Sequence, residues 1–267
     1  MRLLGALERK FGTRSGTVPA PELLYLDLMK GCLTRSLFTE PKTFDPALQA
    51  EVPFDAELRA EGRDWPMEAE TMIGLRRLAN LQHCVTTVIR DDVPGDLVET
   101  GVWRGGAAIF MRAVLKAYGD ATRVVWAADS FAGLPDPDPA RFPADEGVRY
   151  SEYGQLAVPL EVVRANFERY GLLDEQVRFL PGWFRDTLPC APIGQLAVLR
   201  LDGDMYESTM VALQALYPKV SPGGYVIVDD YKLARCRSAV DDYRAEHDVK
   251  EELKQIDWTG VFWRRAS

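Results

Sequence analysis

The stretch Leu196-Ala197-Val198-Leu199-Arg200-Leu201-Asp202-Gly203-Asp204 is an apolar run that ends in two carboxylates. Residues 225–228 form a second apolar run, which ends in Asp229 and Asp230. Burial and mutual repulsion oppose the ionisation of clustered carboxylates unless a positive charge compensates them. A divalent metal ion is the simplest compensation, so the two acidic strand ends predict a cation site.

Short apolar runs alternate with amphipathic helical stretches from about residue 96 onward. The predicted strands cover residues 96–102, 123–129, 176–182, 195–204 and 224–230. This alternation is typical of a doubly wound α/β sheet whose strands are mostly parallel. Ligands of such sheets lie outside the carboxyl ends of the strands. The two acidic strand ends are therefore expected to share one ligand site.

The rest of the chain is assigned around this sheet. Apolar residues at helical spacing predict helices over residues 160–170 and 238–246, and the runs 251–256 and 260–264 are expected to pair as an antiparallel edge. Residues 1–95 are predicted to form an N-terminal helical cap, and residues 96–267 the ligand-binding core. Within the cap, helical stretches over residues 23–32 and 71–89 flank an acid-rich segment, residues 39–66. The long loop 136–155 is typical of a lid or a disordered segment.

Composition and charge limit the classes of function. The formal net charge of −8 over 267 residues argues against nucleic-acid binding, which needs a basic surface. No apolar run approaches the roughly 20 residues of a membrane span, and the N-terminus lacks the apolar region of a signal peptide. The four cysteines have no C-x-x-C spacing, so neither a zinc site nor a disulfide framework is indicated. We expect a soluble, cytoplasmic protein that acts on small molecules.

A glycine-rich loop follows the first strand of the predicted sheet. It reads Glu99-Thr100-Gly101-Val102-Trp103-Arg104-Gly105-Gly106. The nicotinamide fingerprint G-x-G-x-x-G is not matched, because Trp103 occupies the place of the second glycine. The loop suits a ligand with an adenosine and an amino-acid tail but no phosphates, with Asp129 placed to accept the ribose hydroxyls. That ligand is S-adenosylmethionine, although such a loop can also be a simple strand-to-helix turn.

Several blocks of the sequence resemble the macrocin and mycinamicin sugar O-methyltransferases of macrolide biosynthesis, and the novobiocin sugar O-methyltransferase is a further relative. The blocks are residues 81–84, 95–106, 129–131, 180–184, 199–204, 221–224 and 229–231. The resemblance implies a class I S-adenosylmethionine-dependent methyltransferase fold, Rossmann-like, with a seven-stranded, mostly parallel sheet and an antiparallel C-terminal strand. It also implies bound Mg²⁺ and, as acceptor, a deoxysugar hydroxyl on a macrolide or related glycosylated natural product.

The resemblance also implies roles for individual residues. The metal ligands fall on Asp204, Asp229 and Asp230, and Asp204 is also the expected base. Asp202 and Asp204 are two residues apart, so in an extended chain they would face the same side, and spacing alone leaves open which of them holds the metal. The predicted cofactor-binding residues are Thr71, Met72, Glu99, Thr100, Gly101, Trp103, Arg104, Gly105, Asp129, Ser130, Gly182, Trp183 and Asp202.

Thr71 and Met72 are predicted to begin a helix whose backbone amides can meet the methionine carboxylate. The alternative is a capped helix start with Met72 in the core.

The acceptor is expected to meet residues of the cap and of the loops. The predicted acceptor-site residues are Glu51, Trp65, Tyr153 and Tyr231. Glu51 follows from the resemblance, and Trp65 stands where the family has a tyrosine. The three aromatic residues can stack on sugar and macrolide faces. For Glu51 and Trp65 a solvated loop is the alternative.

The leading hypothesis is a Mg²⁺- and S-adenosylmethionine-dependent O-methyltransferase acting on a deoxysugar of a glycosylated natural product in antibiotic biosynthesis. One alternative is methylation of a catechol-like or other non-sugar hydroxyl at the same metal site. Another is a non-catalytic member that binds S-adenosylmethionine and assembles with other proteins, which would predict loss of a metal aspartate. A nucleotide-sugar or NAD-dependent oxidoreductase is disfavoured by the missing second glycine. The partly apolar N-terminal region predicts a homo-oligomer.

Overall fold

The N-terminal part of the chain combines helices with a small antiparallel sheet. The computed structural model describes residues 20–38 and 42–266, so residues 1–19 and 39–41 of the predicted cap lie outside it. The elements are α1 (Pro21–Leu33), β1 (Lys42–Asp45), β2 (Ala50–Pro53), α2 (Ala56–Glu61), β3 (Trp65–Pro66) and α3 (Gly74–Arg90). The three strands pair in the order β2-β1-β3. The small sheet lies within the acid-rich segment for which no element was predicted, because strands this short leave no pattern distinct from a loop.

A seven-stranded sheet forms the centre of the molecule. Its strands are β4 (Asp96–Thr100), β5 (Val125–Asp129), β6 (Val177–Pro181), β7 (Leu196–Leu201), β8 (Val220–Val228), β9 (Lys254–Gln255) and β10 (Val261–Arg264). They lie in the order β6-β5-β4-β7-β8-β10-β9. The five neighbouring strands β6, β5, β4, β7 and β8 pair in parallel, whereas β10 pairs antiparallel with both β8 and β9. The predicted fold class is confirmed, including the antiparallel edge.

Helices cover both faces of this sheet. They are α4 (Gly106–Ala117), α5 (Leu160–Arg169), α6 (Phe184–Thr187), α7 (Tyr206–Leu216) and α8 (Ala234–Glu246). Successive strand residues face opposite sides, so Leu97 packs with α1, α3, α4 and α5, whereas Val98 packs with α7 and α8. Helix α3, which the prediction placed in the cap, therefore belongs to the main core. Among the helices of the described residues, none is both long and apolar enough to cross a lipid bilayer.

The backbone at the end of β4 lies directly against the acidic end of β7. Gly101 donates its N–H to Ala128 O (2.9 Å), and Asp202 donates its N–H to Thr100 O (2.9 Å). A Cβ atom built on residue 101 would lie only 1.6 Å from Asp202 O, and the φ of Gly101 is +88°. Only glycine fits this position. The glycine loop and the acidic loop are thereby held side by side at one edge of the sheet.

Candidate functional site

A cavity of about 530 Å³ opens at the carboxyl ends of the parallel strands, where the sequence places the ligand. It lies between the glycine loop, the acidic strand ends, the loop after β5 and the N-terminal small sheet. The predicted site residues that line it are Trp65, Thr71, Met72, Glu99, Gly101, Trp103, Asp129, Ser130, Tyr153, Trp183, Asp202, Asp204, Asp229 and Asp230. One continuous cavity therefore joins the cofactor, metal and acceptor residues of the prediction.

Four predicted cofactor residues support this cavity rather than line it. Thr100 is buried behind it, and its hydroxyl donates to Arg200 O (3.4 Å). Arg104 donates to the carbonyl of Ala69 (3.1 Å), which fastens the glycine loop to the segment before α3. Gly105 precedes α4, and Gly182 donates its N–H to Asp129 O (2.9 Å). These residues shape the backbone around the site.

Two predicted acceptor residues are not brought to the cavity in the described part of the chain. Glu51 lies on β2 and forms an exposed ion pair with Lys42 of β1 (2.5 Å). The hydroxyl of Tyr231 donates to Asp241 of α8 (2.7 Å). The Glu51 side chain is 48% exposed and does not line the cavity. Both residues instead stabilise local structure.

The carboxylates that lie closest together are Asp202, Asp229 and Asp230. One oxygen of each lies within 4.8 Å of the other two. Asp204, the predicted third ligand, is outside this group, and its backbone N–H donates to Asp230 Oδ2 (3.3 Å). The φ of Asp204 is +57°, so the chain has left the extended conformation on which the equal placement of Asp202 and Asp204 depended. The geometry favours Asp202 over Asp204 as the third ligand.

Arg200 compensates much of the acidic charge from within β7. Its side chain is 1% exposed and donates to Glu99 (2.6 Å), Asp202 (2.8 Å) and Asp229 (2.5 Å). The sequence analysis gave Arg200 no role, although a charged residue inside an otherwise apolar strand is a visible signal of a buried ion pair. The prediction that a metal must supply the compensating charge was thus incomplete.

Arg77 of α3 is a second buried cation at the site. Its guanidinium forms ion pairs with Asp229 and with Asp257 (3.0 Å), and it donates to Gly62 O (2.9 Å). Nothing in the sequence distinguishes the buried Arg77 from Arg76, its exposed neighbour. Carboxyl groups around the two arginines still outnumber them: Glu99, Asp202, Asp204, Asp229, Asp230 and Asp257. The site therefore holds more carboxyl groups than the two arginines can pair with, which suits a further cation.

The acidity of the carboxyl groups reflects this excess. Burial, followed by the charges of Asp202 and Asp229, raises the pKa of Asp204 to about 7. Burial and the charge of Asp204 raise the pKa of Asp230 well above its usual value. Carboxyl groups with raised pKa values keep protons until a cation replaces them. An all-carboxylate donor set with no histidine or cysteine fits a hard cation such as Mg²⁺.

Glu99 and Asp129 mark the part of the cavity beside the glycine loop. Burial raises the pKa of Glu99 to about 8 although Arg200 lowers it, and Glu99 Oε2 has no hydrogen-bond partner within the described residues. Such a buried oxygen needs a donor, which the ammonium group of an amino acid provides. Asp129 accepts short hydrogen bonds from Val102 N (2.6 Å) and Phe131 N (2.7 Å) and longer ones from Trp103 N (3.4 Å) and Ser130 Oγ (3.3 Å), and ribose hydroxyls would replace the two longer bonds. These residues fit S-adenosylmethionine.

Thr71 and Met72 line the cavity, but they do not begin a helix. Helix α3 starts three residues after Thr71, at Gly74, and the Thr71 hydroxyl accepts the N–H of Ile73 (3.3 Å). The φ of Gly74 is +71°, and this left-handed residue separates the preceding turn from the helix. Met72 is half-buried at the cavity wall, so the alternative that places it in the core is also not observed.

Aromatic side chains from two distant segments form the outer wall of the cavity, next to the aspartates. The rings of Trp65 and Tyr153 meet edge to face with centroids 5.5 Å apart, and Trp65 also contacts Phe44 (5.9 Å). Tyr150 and Trp258, which the sequence analysis did not select, line the same region. No pattern in the sequence indicates that residue 258 reaches the site, because only the turn between β9 and β10 places it there.

Comparison with known proteins identifies related enzymes along nearly the whole chain. Residues 23–265 match the macrocin O-methyltransferase (TylF) family. The 8-demethyl-8-(2,3-dimethoxy-α-L-rhamnosyl)-tetracenomycin-C 4'-O-methyltransferase of Streptomyces olivaceus is 59% identical, over 91% of this chain and 93% of that protein. The demethyldecarbamoylnovobiocin O-methyltransferase of Streptomyces niveus is 54% identical (91% and 94%). The mycinamicin III 3''-O-methyltransferase of Micromonospora griseorubida is 50% identical (91% and 97%).

Solved structures agree with these sequence matches. The O-methyltransferase NovP superposes with a TM-score of 0.88 at 53% identity, over 92% of this chain and all of that one. The calicheamicin methyltransferase CalS11 superposes with a TM-score of 0.58 at 19% identity, over 95% and 98% of the two chains, and at that distance the likeness concerns the fold alone. The fold is that of the S-adenosylmethionine-dependent methyltransferases.

Proposed function

The chain belongs to the macrocin O-methyltransferase family, and from this membership we propose that it methylates a deoxysugar hydroxyl of a glycosylated natural product in antibiotic biosynthesis. It is an O-methyltransferase, as its relatives are. We further propose S-adenosylmethionine as methyl donor and Mg²⁺ as the required ion. The observation that carries the proposal is the cluster of Asp202, Asp229 and Asp230 on the wall of the cavity that Glu99 and Asp129 also line.

Binding of the methyl donor would use the glycine-loop end of the cavity. Glu99 Oε2 would accept a hydrogen bond from the donor's ammonium group, and Asp129 from its ribose hydroxyls. Trp183 would lie against the adenine. These contacts would direct the sulfonium methyl group toward the aspartates, and the backbone closeness of Gly101 and Asp202 supports this. The main contribution of the protein to the reaction rate would be to hold the two reactants in line, for which effective molarities of about 10⁵ M or more are known.

Deprotonation of the acceptor hydroxyl would take place at the end of the cavity that the aspartates line. Asp202, Asp229 and Asp230 would hold Mg²⁺, which when bound lowers the pKa of a coordinated hydroxyl. Asp204, with a pKa raised to about 7, would take the hydroxyl proton as general base. The oxygen forms its bond to the methyl carbon as the carbon–sulfur bond breaks, and S-adenosylhomocysteine leaves. Arg77 and Arg200 would keep Asp229 in one orientation throughout.

The acceptor class is inferred from the wall of the cavity and from the relatives. Trp65 and Tyr153 would stack on the apolar face of a sugar or its aglycone. The enzymes named for tetracenomycin, novobiocin and mycinamicin act on glycosylated acceptors, and we extend this class to the present chain. We also propose that the protein works in the cytoplasm as a homo-oligomer. Exposed leucines of α1, such as Leu24 and Leu28, offer a contact surface that size-exclusion chromatography with light scattering would test.

The direct test is methyl transfer from labelled S-adenosylmethionine to a panel of acceptors, with and without EDTA. The panel contains demethyldecarbamoylnovobiocin, mycinamicin III, 8-demethyl-8-(2,3-dimethoxy-α-L-rhamnosyl)-tetracenomycin C and a simple catechol. We expect label in at least one glycosylated acceptor and loss of transfer in EDTA that added Mg²⁺ restores. Label in the catechol alone would refute the sugar acceptor, and undiminished transfer in EDTA would refute the metal.

A further inference from the structure

Asp145 caps a helix from which it is distant in sequence. It lies in the long loop between β5 and α5, and its side chain is completely buried. Its two carboxylate oxygens accept the backbone N–H groups of Tyr206 (2.8 Å) and Glu207 (2.9 Å), the first two residues of α7. The first N–H groups of a helix have no partner within the helix, and a carboxylate also suits the positive end of the helix dipole. The loop is therefore fastened to the start of α7.

Capping alone does not explain this arrangement. A helix is usually capped by the residue just before it, with serine, threonine, asparagine or aspartate supplying the acceptor. Here that residue is Met205, whose side chain forms no cap and is fully buried. The acceptor comes instead from a loop about 60 residues earlier in the chain. The distant cap links two segments that a local cap would leave separate.

Both linked segments carry residues of the site. Tyr150 and Tyr153 follow Asp145 in the loop and line the cavity, where Tyr153 also contacts Trp65. Asp204 lies just before α7 and lines the same cavity. Two other bonds also attach the loop, from Arg235 of α8 to Glu146 O, directly after Asp145 (3.1 Å), and from Trp103 to Gln155 O, near the end of the loop (2.9 Å). Of these three attachments, Asp145 supplies the one made by a fully buried, charged side chain.

We propose that Asp145 is a positioning residue that sets the aromatic wall of the acceptor site relative to Asp204. Without its two hydrogen bonds, the loop would no longer hold Tyr150 and Tyr153 at a fixed distance from the reacting hydroxyl. Acceptor binding would suffer, whereas the donor end formed by Glu99 and Asp129 would remain. This inference rests on the proposed function for its acceptor, but not for the attachment of the loop.

The test compares Asp145→Ala and Asp145→Asn with a control in the same loop, Asp138→Ala. Asp138 is half-buried and accepts a hydrogen bond from Arg141 N within the loop. The readouts are the rate of tryptic cleavage after Arg149, whose side chain is 75% exposed, and the S-adenosylmethionine Kd by calorimetry. The third readout is KM and kcat for 8-demethyl-8-(2,3-dimethoxy-α-L-rhamnosyl)-tetracenomycin C.

For Asp145→Ala we expect faster cleavage after Arg149 and a KM for the acceptor about tenfold higher, with an unchanged Kd for S-adenosylmethionine. Asp145→Asn keeps one carbonyl acceptor and should recover part of both effects. Asp138→Ala should match the wild type. If Asp145→Ala does not fold, the cleavage rate and KM of Asp145→Asn test the role of Asp145 instead.

Two results would overturn the inference. Cleavage and KM equal to wild type in Asp145→Ala would mean that the loop does not depend on Asp145. A parallel loss of acceptor and S-adenosylmethionine affinity would mean that Asp145 serves general stability instead. If the wild type methylates another glycosylated acceptor of the panel instead, KM and kcat are measured with that acceptor, and if it methylates none of them, the proposed acceptor class fails separately. Cleavage and S-adenosylmethionine binding then decide the role of Asp145, since neither readout needs an acceptor.

Discussion

Replacement of Arg200 by methionine tests whether a buried arginine holds the acidic site together. Methionine keeps a long side chain in β7 but removes the charge that faces Glu99, Asp202 and Asp229. All three contacts are between 2.5 and 2.8 Å, and the Arg200 side chain is 1% exposed. Removing one partner of a buried ion pair typically costs about 3–5 kcal/mol, because the remaining charges stay buried. We expect a loss of about this size in the free energy of unfolding at pH 7.

The loss should depend on pH in a defined direction. Arg200 lowers the pKa of Glu99, so its removal raises that pKa further above 4.5, the value of an ordinary glutamic acid. A carboxyl whose pKa is raised on folding contributes stability that is fully present below its unfolded pKa and is lost as the pH rises through its folded pKa. The deficit of Arg200→Met relative to wild type should therefore be smaller at pH 5 than at pH 8.

Urea denaturation followed by circular dichroism measures both effects. Arg112→Met is the matched control, because Arg112 is also buried but its partner Asp174 is 29% exposed, so its loss should be smaller. The double variant Arg200→Met/Glu99→Gln should recover part of the loss, with a coupling energy of about 0.5–3 kcal/mol. A loss below about 1 kcal/mol for Arg200→Met, or a deficit that grows toward acid pH, would refute the reasoning.

Three further predictions concern the same edge of the sheet. Asp202→Asn should weaken Mg²⁺ binding, measured by calorimetry, at least about tenfold more than Asp204→Asn, and the reverse order would contradict the grouping of Asp202 with Asp229 and Asp230. Asp204→Asn should lower kcat by about 10²-fold or more while the Kd for S-adenosylmethionine stays constant, and an unchanged kcat would exclude Asp204 as base. Gly101→Ala should leave no folded protein to detect in thermal unfolding, because the new Cβ meets Asp202 O. Gly119→Ala, with open space around it, should lower the free energy of unfolding by only about 1–2 kcal/mol. Equal Tm values for the two variants would argue against the close contact at residue 101.

The main sheet was predictable because each of its strands carries its own signal. Leu97 and Val98 pack on opposite faces, and both faces are covered by helices, so the strand must be apolar throughout. The acidic ends follow directly after such strands, which is why the place of the cavity could be predicted. The small sheet of β1, β2 and β3 lacks this signal, because its strands have only two to four residues and mix exposed, half-buried and buried positions.

The parts of the site that were not predicted depend on three-dimensional distances, which the spacing of residues in the sequence does not determine. Asp202 and Asp204 are equivalent candidates for the metal site only in an extended chain, and the left-handed conformation of Asp204 separates them. Arg77 and Asp145 reach the site from segments more than 60 residues away from their partners. No periodicity relates such residues, and their meeting depends on how the helices and loops pack.

The contact between Trp65 and Tyr153 has a consequence for engineering the enzyme's acceptor range. Strand β3 supplies Trp65 and the loop between β5 and α5 supplies Tyr153, and the two rings touch edge to face. A chimera that exchanges only one of these segments with a relative would pair mismatched rings. Residues 42–66 and 136–156 should therefore be transplanted together, as a single cassette, while the sheet that holds the aspartates is left as it is.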